Sequence, residues 1–463
     1  MIQNFAITID ATVMDKLKIW KNRYTKFKLK LSPQQNLLYG FFTYVIAGFI
    51  LLSFPWLQKT DVAFIDNLFT ATSAVSTTGL VTVSIYDSYN FAGQLVIMSL
   101  FQLGGIGYLT FTTFMLLSTT RRITHWHKKL LNCEFTLPVT IKIKDFLKSV
   151  ILFTVVMETI GAILFFIAFY HNGMPIGEAI WNSIFHSVSA FCTAGFSLFN
   201  SGFTNYVDDG FVNFIIAFLA IAGSLGFIVV TDLVLWIKDR THQLSFTSRI
   251  IFIGFAFLLS FGFIFMYFFE PTITALDGSA RLYAAFFQTM SAMTTVGFNT
   301  VDYGSYSIPI ILVTIFLMYV GASPSGTAGG IKITTLSAVF AIMKSRLRGS
   351  KEITFLGRKI PFERLYIATS SFIFYTSLIF MFTLALTFTG DFTLEKSLFE
   401  VSSALGTVGL SMGITGDLSS IGKMLIIMIM FIGRLGVLTF GLAIWSKSIQ
   451  TEESVFIEDD IAV

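Results

Sequence analysis

Charge is scarce in this chain of 463 residues: only 13% are Asp, Glu, Lys or Arg, against 54% hydrophobic and 16% aromatic. A soluble domain carries about a quarter charged residues, so the composition excludes a water-soluble globular protein and assigns the chain to a bilayer. Cysteine is nearly absent. Cys133 falls in a basic loop and Cys192 in an apolar segment, which implies no disulfide framework and no redox compartment. The net charge of +4 does not point to nucleic acid, because the basic residues gather in the connections between apolar runs. A cleavable leader is not expected either. The first long apolar run begins near Leu38, after a basic stretch from Lys16 to Lys30 that is longer than the n-region of a secretory signal.

What the chain does have is a pattern that occurs four times: Phe, three residues, Ser-Ala, two residues, Thr, one residue, Gly, then Leu or Phe. The copies are Phe69 to Leu80, Phe185 to Phe196, Phe287 to Phe298 and Phe399 to Leu410. Their glycines, Gly79, Gly195, Gly297 and Gly409, are 116, 102 and 112 residues apart, about a quarter of the chain each. An apolar run of helical length precedes each copy, roughly Leu38 to Leu57, Val150 to Tyr170, Ile250 to Phe269 and Leu365 to Phe388. Another follows: Gly93 to Leu117, Phe211 to Trp236, Ile308 to Met343 with an interruption, and Ile421 to Trp445.

The predicted fold is therefore an all-α integral membrane protein of four membrane-pore-membrane repeats, with eight transmembrane helices and four re-entrant pore loops around a pseudo-fourfold pore. The predicted boundaries are an N-terminal arm (1–37), repeat 1 (38–120), a linker (121–147), repeat 2 (148–240), repeat 3 (241–349), repeat 4 (350–446) and a C-terminal tail (447–463). Of the 31 Lys and Arg, 25 fall on the side away from the motifs. That bias makes both termini, the arm, the linker and the tail cytoplasmic, with the motifs dipping in from outside.

Non-helical backbone survives at membrane depth only where protein or a water-filled cavity satisfies it, so four such segments argue for one shared aqueous path. Glycine lets the backbone adopt φ > 0 and turn carbonyls inward. A pore helix ending at the motif points its partially negative terminus at the same place. The stretches Ser73 to Ser84, Ser189 to Asn200, Ser291 to Val301 and Ser403 to Thr415 contain no ionisable side chain except Cys192. Rings of charged side chains are thereby excluded, leaving neutral oxygens to select the ion. The plainer alternative is four tight turns capping packed hairpins, which would not need the same Ser, Ala, Thr and Gly spacing in every quarter.

These motifs resemble those of the Trk/Ktr/HKT superfamily of potassium transporters, and the resemblance covers nearly the whole chain. It implies potassium uptake through a selectivity filter made by Thr77, Thr78 and Gly79, by Thr193, Ala194 and Gly195, by Thr295, Val296 and Gly297, and by Thr407, Val408 and Gly409, with potassium on their backbone carbonyls. Glycine in all four loops goes with potassium, whereas serine in the first goes with sodium-preferring plant members; here that residue is Gly79. No extra hairpin precedes the first repeat, so the expected similarity is to the Ktr membrane (B-type) subunit. The resemblance further implies a homodimer in a bacterial plasma membrane, a cytoplasmic ring of nucleotide-binding regulatory subunits, sodium as an activator, and no cofactor in this chain. One glycine per loop, against two in the potassium-channel signature, makes weaker discrimination against sodium the expectation.

Two features are candidates for gating. The run from Gly321 to Gly330 holds four glycines and a proline and cannot be an unbroken helix. Within and beside it, Gly321, Ser323, Pro324, Ser325, Gly326, Gly329, Gly330 and Lys332 form an expected intramembrane gating loop, with a kinked helix as the alternative. Arg434, 25 residues after Gly409, lies well inside an apolar helix, where an ionised side chain is costly and often functional. In the family the matching arginine lies under the filter as an electrostatic barrier; a structural ion pair with Glu158 is the alternative. His125 and His127 read as contacts to headgroups or a partner, not to metal. Glu158 and Asp232 are too scattered to argue a proton-coupled carrier, and the acidic tail from Glu452 to Asp460 reads as solvated. A secondary carrier would show inverted repeats and polar midplane side chains, and an intramembrane enzyme a clustered nucleophile or carboxylate pair; neither pattern is present in the sequence.

Overall fold

The computed structural model describes residues 31–107, 143–239, 243–321, 323–324 and 326–445. Most of the expected arm and linker and the whole of the tail lie outside the described residues, as do Ser325, Cys133, His125 and His127.

The bilayer leaves backbone groups no water to bond, and the described chain is accordingly mostly helical. Helix α1 (Pro33–Leu52) begins on Ser32, whose hydroxyl accepts from the Gln35 amide while the Gln35 side chain accepts from the Ser32 amide. This reciprocal cap, with proline at the first helical position, fixes where the helix starts. The shorter α2 (Phe64–Val75) follows and ends at the first motif, then α3 (Phe91–Ile106). The same order returns as α4 (Ile143–His171), α5 (Ile176–Phe191) and α6 (Gly210–Ser224), the last followed by α7 (Phe227–Lys238). It returns again as α8 (Phe246–Phe269), α9 (Gly278–Thr294) and α10 (Ile308–Tyr319). After α10, β1 (Val320–Gly321) pairs in parallel with β2 (Ile331–Lys332), and α11 (Ile333–Leu347) leads out. A small antiparallel hairpin, β3 (Thr354–Phe355) with β4 (Arg358–Lys359), precedes α12 (Phe362–Thr387), α13 (Leu394–Gly406), α14 (Ser420–Leu435) and α15 (Val437–Trp445).

Among the described residues, four helices are long and apolar enough to cross a membrane: α1, α8, α12 and the Leu147–His171 portion of α4. Helices α3 and α10 are shorter but apolar. The runs Phe211 to Trp236 and Ile421 to Trp445, expected as single helices, are instead broken. Helices α6 and α7 meet at 98°, and so do α14 and α15. The cause is local: Gly226 (φ 82°, ψ 147°) and Gly436 (φ 83°, ψ 129°) adopt an extended positive-φ conformation that glycine allows and through which a helix cannot continue. Gly107 (φ 86°) ends α3 in the same way, and the remainder of the expected span to Leu117 lies outside the described residues.

Burial is inverted relative to a soluble protein. The short motif-bearing helices α2, α5, α9 and α13 form the buried centre, with Phe69, Phe185, Phe287 and Phe399 fully enclosed. The long helices turn large apolar side chains outward, such as Leu152, Phe257 and Phe380, each more than 60% exposed. In water each would forgo about 1.5–3 kcal/mol of burial, whereas lipid accepts them.

Candidate functional site

Each motif helix ends by one device. In α2 the Thr78 amide donates to the Ser73 carbonyl at 2.9 Å; Ala194 to Ser189, Val296 to Ser291 and Val408 to Ser403 repeat the bond at 2.8, 3.2 and 2.8 Å. A bond spanning six residues requires a left-handed residue just before its donor, usually glycine. Here it is threonine every time: Thr77, Thr193, Thr295 and Thr407 have φ of 51°, 49°, 57° and 49°. A β-branched residue in that region is strained, and strain of this kind concentrates at functional sites. The motif serine contributes its hydroxyl as well. Ser73 and Ser403 accept from the amides of Gly79 and Gly409 at 3.1 Å, while Ser189 and Ser291 donate to the carbonyls of Phe196 and Phe298.

The four glycines form a closed ring in chain order. A methyl group built on Gly79 would lie 2.5 Å from the Ala194 carbonyl oxygen and 2.9 Å from Gly195 Cα. On Gly195 it would lie 2.8 Å from the Val296 oxygen and 3.4 Å from Gly297 Cα. On Gly297 it would meet the Val408 carbonyl, with Gly409 Cα at 3.2 Å, and on Gly409 the Thr78 carbonyl, with Gly79 Cα at 3.1 Å. All four have φ between 69° and 93°. A side chain here would meet both strain and a neighbouring carbonyl, so only glycine fits. Four carbonyl oxygens, from Thr78, Ala194, Val296 and Val408, thus converge at the ring.

Beneath the ring lies a cavity of about 280 Å³ whose lining includes Gly104, Gly329, Lys332, Gly433 and Arg434. Arg434, half-buried, donates from Nη1 to the Thr327 carbonyl at 2.6 Å and from Nη2 to the Gly104 carbonyl. Its guanidinium therefore joins α14 to α3 and to the segment between β1 and β2. Among the described residues no ion pair links Arg434 to Glu158. Glu158 instead accepts from Gln102 Nε2 at 3.0 Å, and the Cys192 thiol donates to Gln102 Oε1 at 3.2 Å. Asp232 lies elsewhere and accepts from the Ser245 amide at 2.9 Å.

The segment between β1 and β2 presses up against the ring's threonines. The Thr193 hydroxyl lies 3.1 Å from the Thr327 hydroxyl, and the Gly329 amide donates to Thr295 Oγ1 at 3.1 Å. The Thr327 amide donates to the Gly223 carbonyl of α6 at 3.1 Å. Lys332 Nζ, returning from β2, donates to the carbonyls of Ala328 and Gly329. Gly321 and Gly330 pack together where β1 meets β2, Ser323 donates to the Pro324 carbonyl, and Gly326 sits against the Ser224 carbonyl. The structure thus brings the twelve motif residues, the described loop residues, Lys332 and Arg434 into one contiguous cluster. Thr327 and the carbonyls of Gly104 and Gly105 belong to the same cluster and carry no sequence signal, since Thr327 is a common residue in a glycine-rich run and the other contacts are main chain.

Apolar spans enclosing re-entrant loops that meet on a ring of carbonyls define a polytopic membrane transport protein, not an enzyme. The family model described as "TrkH: Cation transport protein" matches residues 2–451, and the chain belongs to that family. It is 34% identical to "Ktr system potassium uptake protein B" of Bacillus subtilis (strain 168), over 92% of this chain and 95% of that protein. It is 33% identical to "Potassium/sodium uptake protein NtpJ" of Enterococcus hirae, over 94% and 97%. The crystal structure of the potassium transporter TrkH from Vibrio parahaemolyticus has the same fold, with a TM-score of 0.70 at 19% identity over 90% of this chain and 86% of that one.

Proposed function

We propose that this protein takes up potassium across a bacterial plasma membrane through a selectivity filter formed by the Thr-x-Gly backbone of its four motifs. The observation that carries the reading is the closed glycine ring: each of Gly79, Gly195, Gly297 and Gly409 abuts the carbonyl preceding the next loop's glycine. A ring of neutral oxygens substitutes for the hydration shell of an alkali cation, and no acidic side chain lies between the motif serine and the motif glycine in any of the four copies. The printed names of the relatives, both potassium uptake proteins, agree with this choice of ion.

Arg434 and the segment from Gly321 to Lys332 act as the gate. Support comes from their position across the inner end of the ring and from the cost of a guanidinium within a membrane span. Retracting the loop would break its bonds to Thr193 and Thr295 and release Arg434 from Thr327. Sodium stimulation is part of the proposal, in line with the potassium/sodium wording of the Enterococcus relative's name. So are a homodimer and a cytoplasmic nucleotide-binding ring, since "Ktr system" in the Bacillus relative's name speaks of more than one component. The bias of Lys and Arg supports cytoplasmic termini and the four repeat boundaries given above.

The test is uptake of radioactive rubidium into proteoliposomes, together with growth of a potassium-uptake-deficient bacterium carrying the gene. Uptake that potassium inhibits and that Gly297→Ser weakens is the expected result. Transport of an organic solute in place of rubidium would point to a secondary carrier and end this reading.

A further inference from the structure

The residue that follows the motif phenylalanine is polar in every copy: Thr70, His186, Gln288 and Glu400. All four are fully buried in the motif helices, where a polar group without a partner is costly. Three of them spend their polar atoms on the same target, the limb of chain that leaves the motif glycine. His186 Nε2 accepts from the Leu198 amide at 3.2 Å and lies 3.1 Å from the Ser197 hydroxyl. Because Nε2 accepts from an amide, the ring proton sits on Nδ1, 2.8 Å from the Asn182 carbonyl, so the imidazole is neutral and held at both ends. Gln288 spans the same gap with its amide: Oε1 accepts from the Thr300 amide at 3.0 Å and Nε2 donates to the Val301 carbonyl at 2.8 Å. Glu400 does it with both carboxyl oxygens, accepting from the Ser411 hydroxyl at 2.8 Å and from the Thr415 hydroxyl.

Repeat 1 lacks this tie close to the glycine: the Thr70 hydroxyl faces the Tyr89 hydroxyl, ten residues beyond Gly79, and makes no hydrogen bond to the residues just after the glycine.

We propose that His186, Gln288 and Glu400 are positioning residues that splint three of the four glycine limbs and thereby set which cation the ring accepts, whereas the repeat 1 limb is held from outside its motif helix, by Asn200 bonding Ser84 and Asp87. The inference rests on the reading of the glycine ring as the selectivity filter. A smaller ion such as sodium needs the carbonyls to close further inward. A limb anchored two to six residues beyond its glycine resists that movement, so the splints work against sodium.

The test uses the full chain in liposomes, with rubidium uptake measured against potassium and against sodium as competitors. Losing a splint's hydrogen bonds, as in Glu400→Ala or His186→Ala, is expected to lower the preference for potassium over sodium by about tenfold. Glu400→Gln should retain most of the preference, because the Ser411 and Thr415 hydroxyls can rotate to donate to or accept from an amide. Thr70→Ala should leave the ratio unchanged. A role in folding alone would change the yield of reconstituted protein and not the ion ratio. Should Glu400→Ala fail to fold, Ser411→Ala removes one bond from the more exposed end and is expected to shift the ratio the same way. An unchanged ratio in folded Ala variants, with a shifted one in Gly297→Ser, overturns the splint and leaves the filter standing. An unchanged ratio in Gly297→Ser as well overturns both.

Discussion

Lys423 Nζ lies 2.6 Å from Asp66 Oδ1, an ion pair between the first turn of α14 and the first turn of α2, residues 357 apart in sequence. It ties the last quarter of the chain to the first on the side where the motif helices begin. Asp66 also sits at the positive end of its helix, which favours its charge.

The two side chains are only 13% and 12% exposed, so breaking the pair leaves a nearly buried charge. Such a change costs roughly 3–5 kcal/mol when burial is complete, and Lys423→Met should fall near the lower end of that range. Thermal unfolding in detergent checks it. A second substitution, Asp66→Leu, should recover part of the loss, and a double variant less stable than Lys423→Met would contradict the assignment.

Alanine at the ring glycines should damage potassium affinity in a definite order. Gly195 has the roomiest surroundings and the φ closest to the left-handed region that other residues occasionally visit, so Gly195→Ala should be the mildest. Gly297→Ala and Gly409→Ala would press a methyl onto a carbonyl in addition to a backbone cost of about 1–2 kcal/mol. The KM of potassium uptake for the three variants reads the ranking directly; Gly195→Ala as the worst would refute it.

Replacing Arg434 by alanine removes a charge and its bonds to Thr327 and Gly104. Maximal flux should rise several-fold in protein that remains folded, with Arg434→Lys intermediate because one ammonium cannot make the guanidinium's divergent bonds. Flux unchanged in stable protein would argue that the arginine is purely structural.

Thr327→Val keeps the volume and deletes the hydroxyl facing Thr193. The same hydroxyl donates to the Phe191 carbonyl at 3.3 Å, and losing both bonds weakens the closed loop by about 2 kcal/mol, which predicts a higher basal uptake and little change in KM. A fall in uptake would contradict the docked loop as the closed state.

The sequence displays the motif helices and the glycine positions because glycine and the Ser-Ala pair are dictated by local geometry that recurs at each site. Left-handed threonine at Thr77, Thr193, Thr295 and Thr407 was not legible, since nothing about threonine announces φ > 0. The breaks after α6 and α14 were also hidden. Gly226 and Gly436 each follow another glycine, Gly223 and Gly433, that stays helical, and a glycine is tolerated inside a helix at about 1 kcal/mol. Only packing decides that these two bend. Glu158 as a partner of Arg434 failed for a similar reason, because Gln102 comes from a different quarter of the chain and reaches the carboxylate first.

The elbow at Gly226 has a mechanical corollary. Its Cα faces the Pro324 carbonyl and the Gly326 amide so closely that an added methyl would sit 2.7 and 2.9 Å from them. Helix α7 leaves at nearly a right angle, so its pivot rests directly on the segment between β1 and β2. If that segment gates the ring as proposed, a sideways pull on α7 at the membrane face would reach it directly through this pivot.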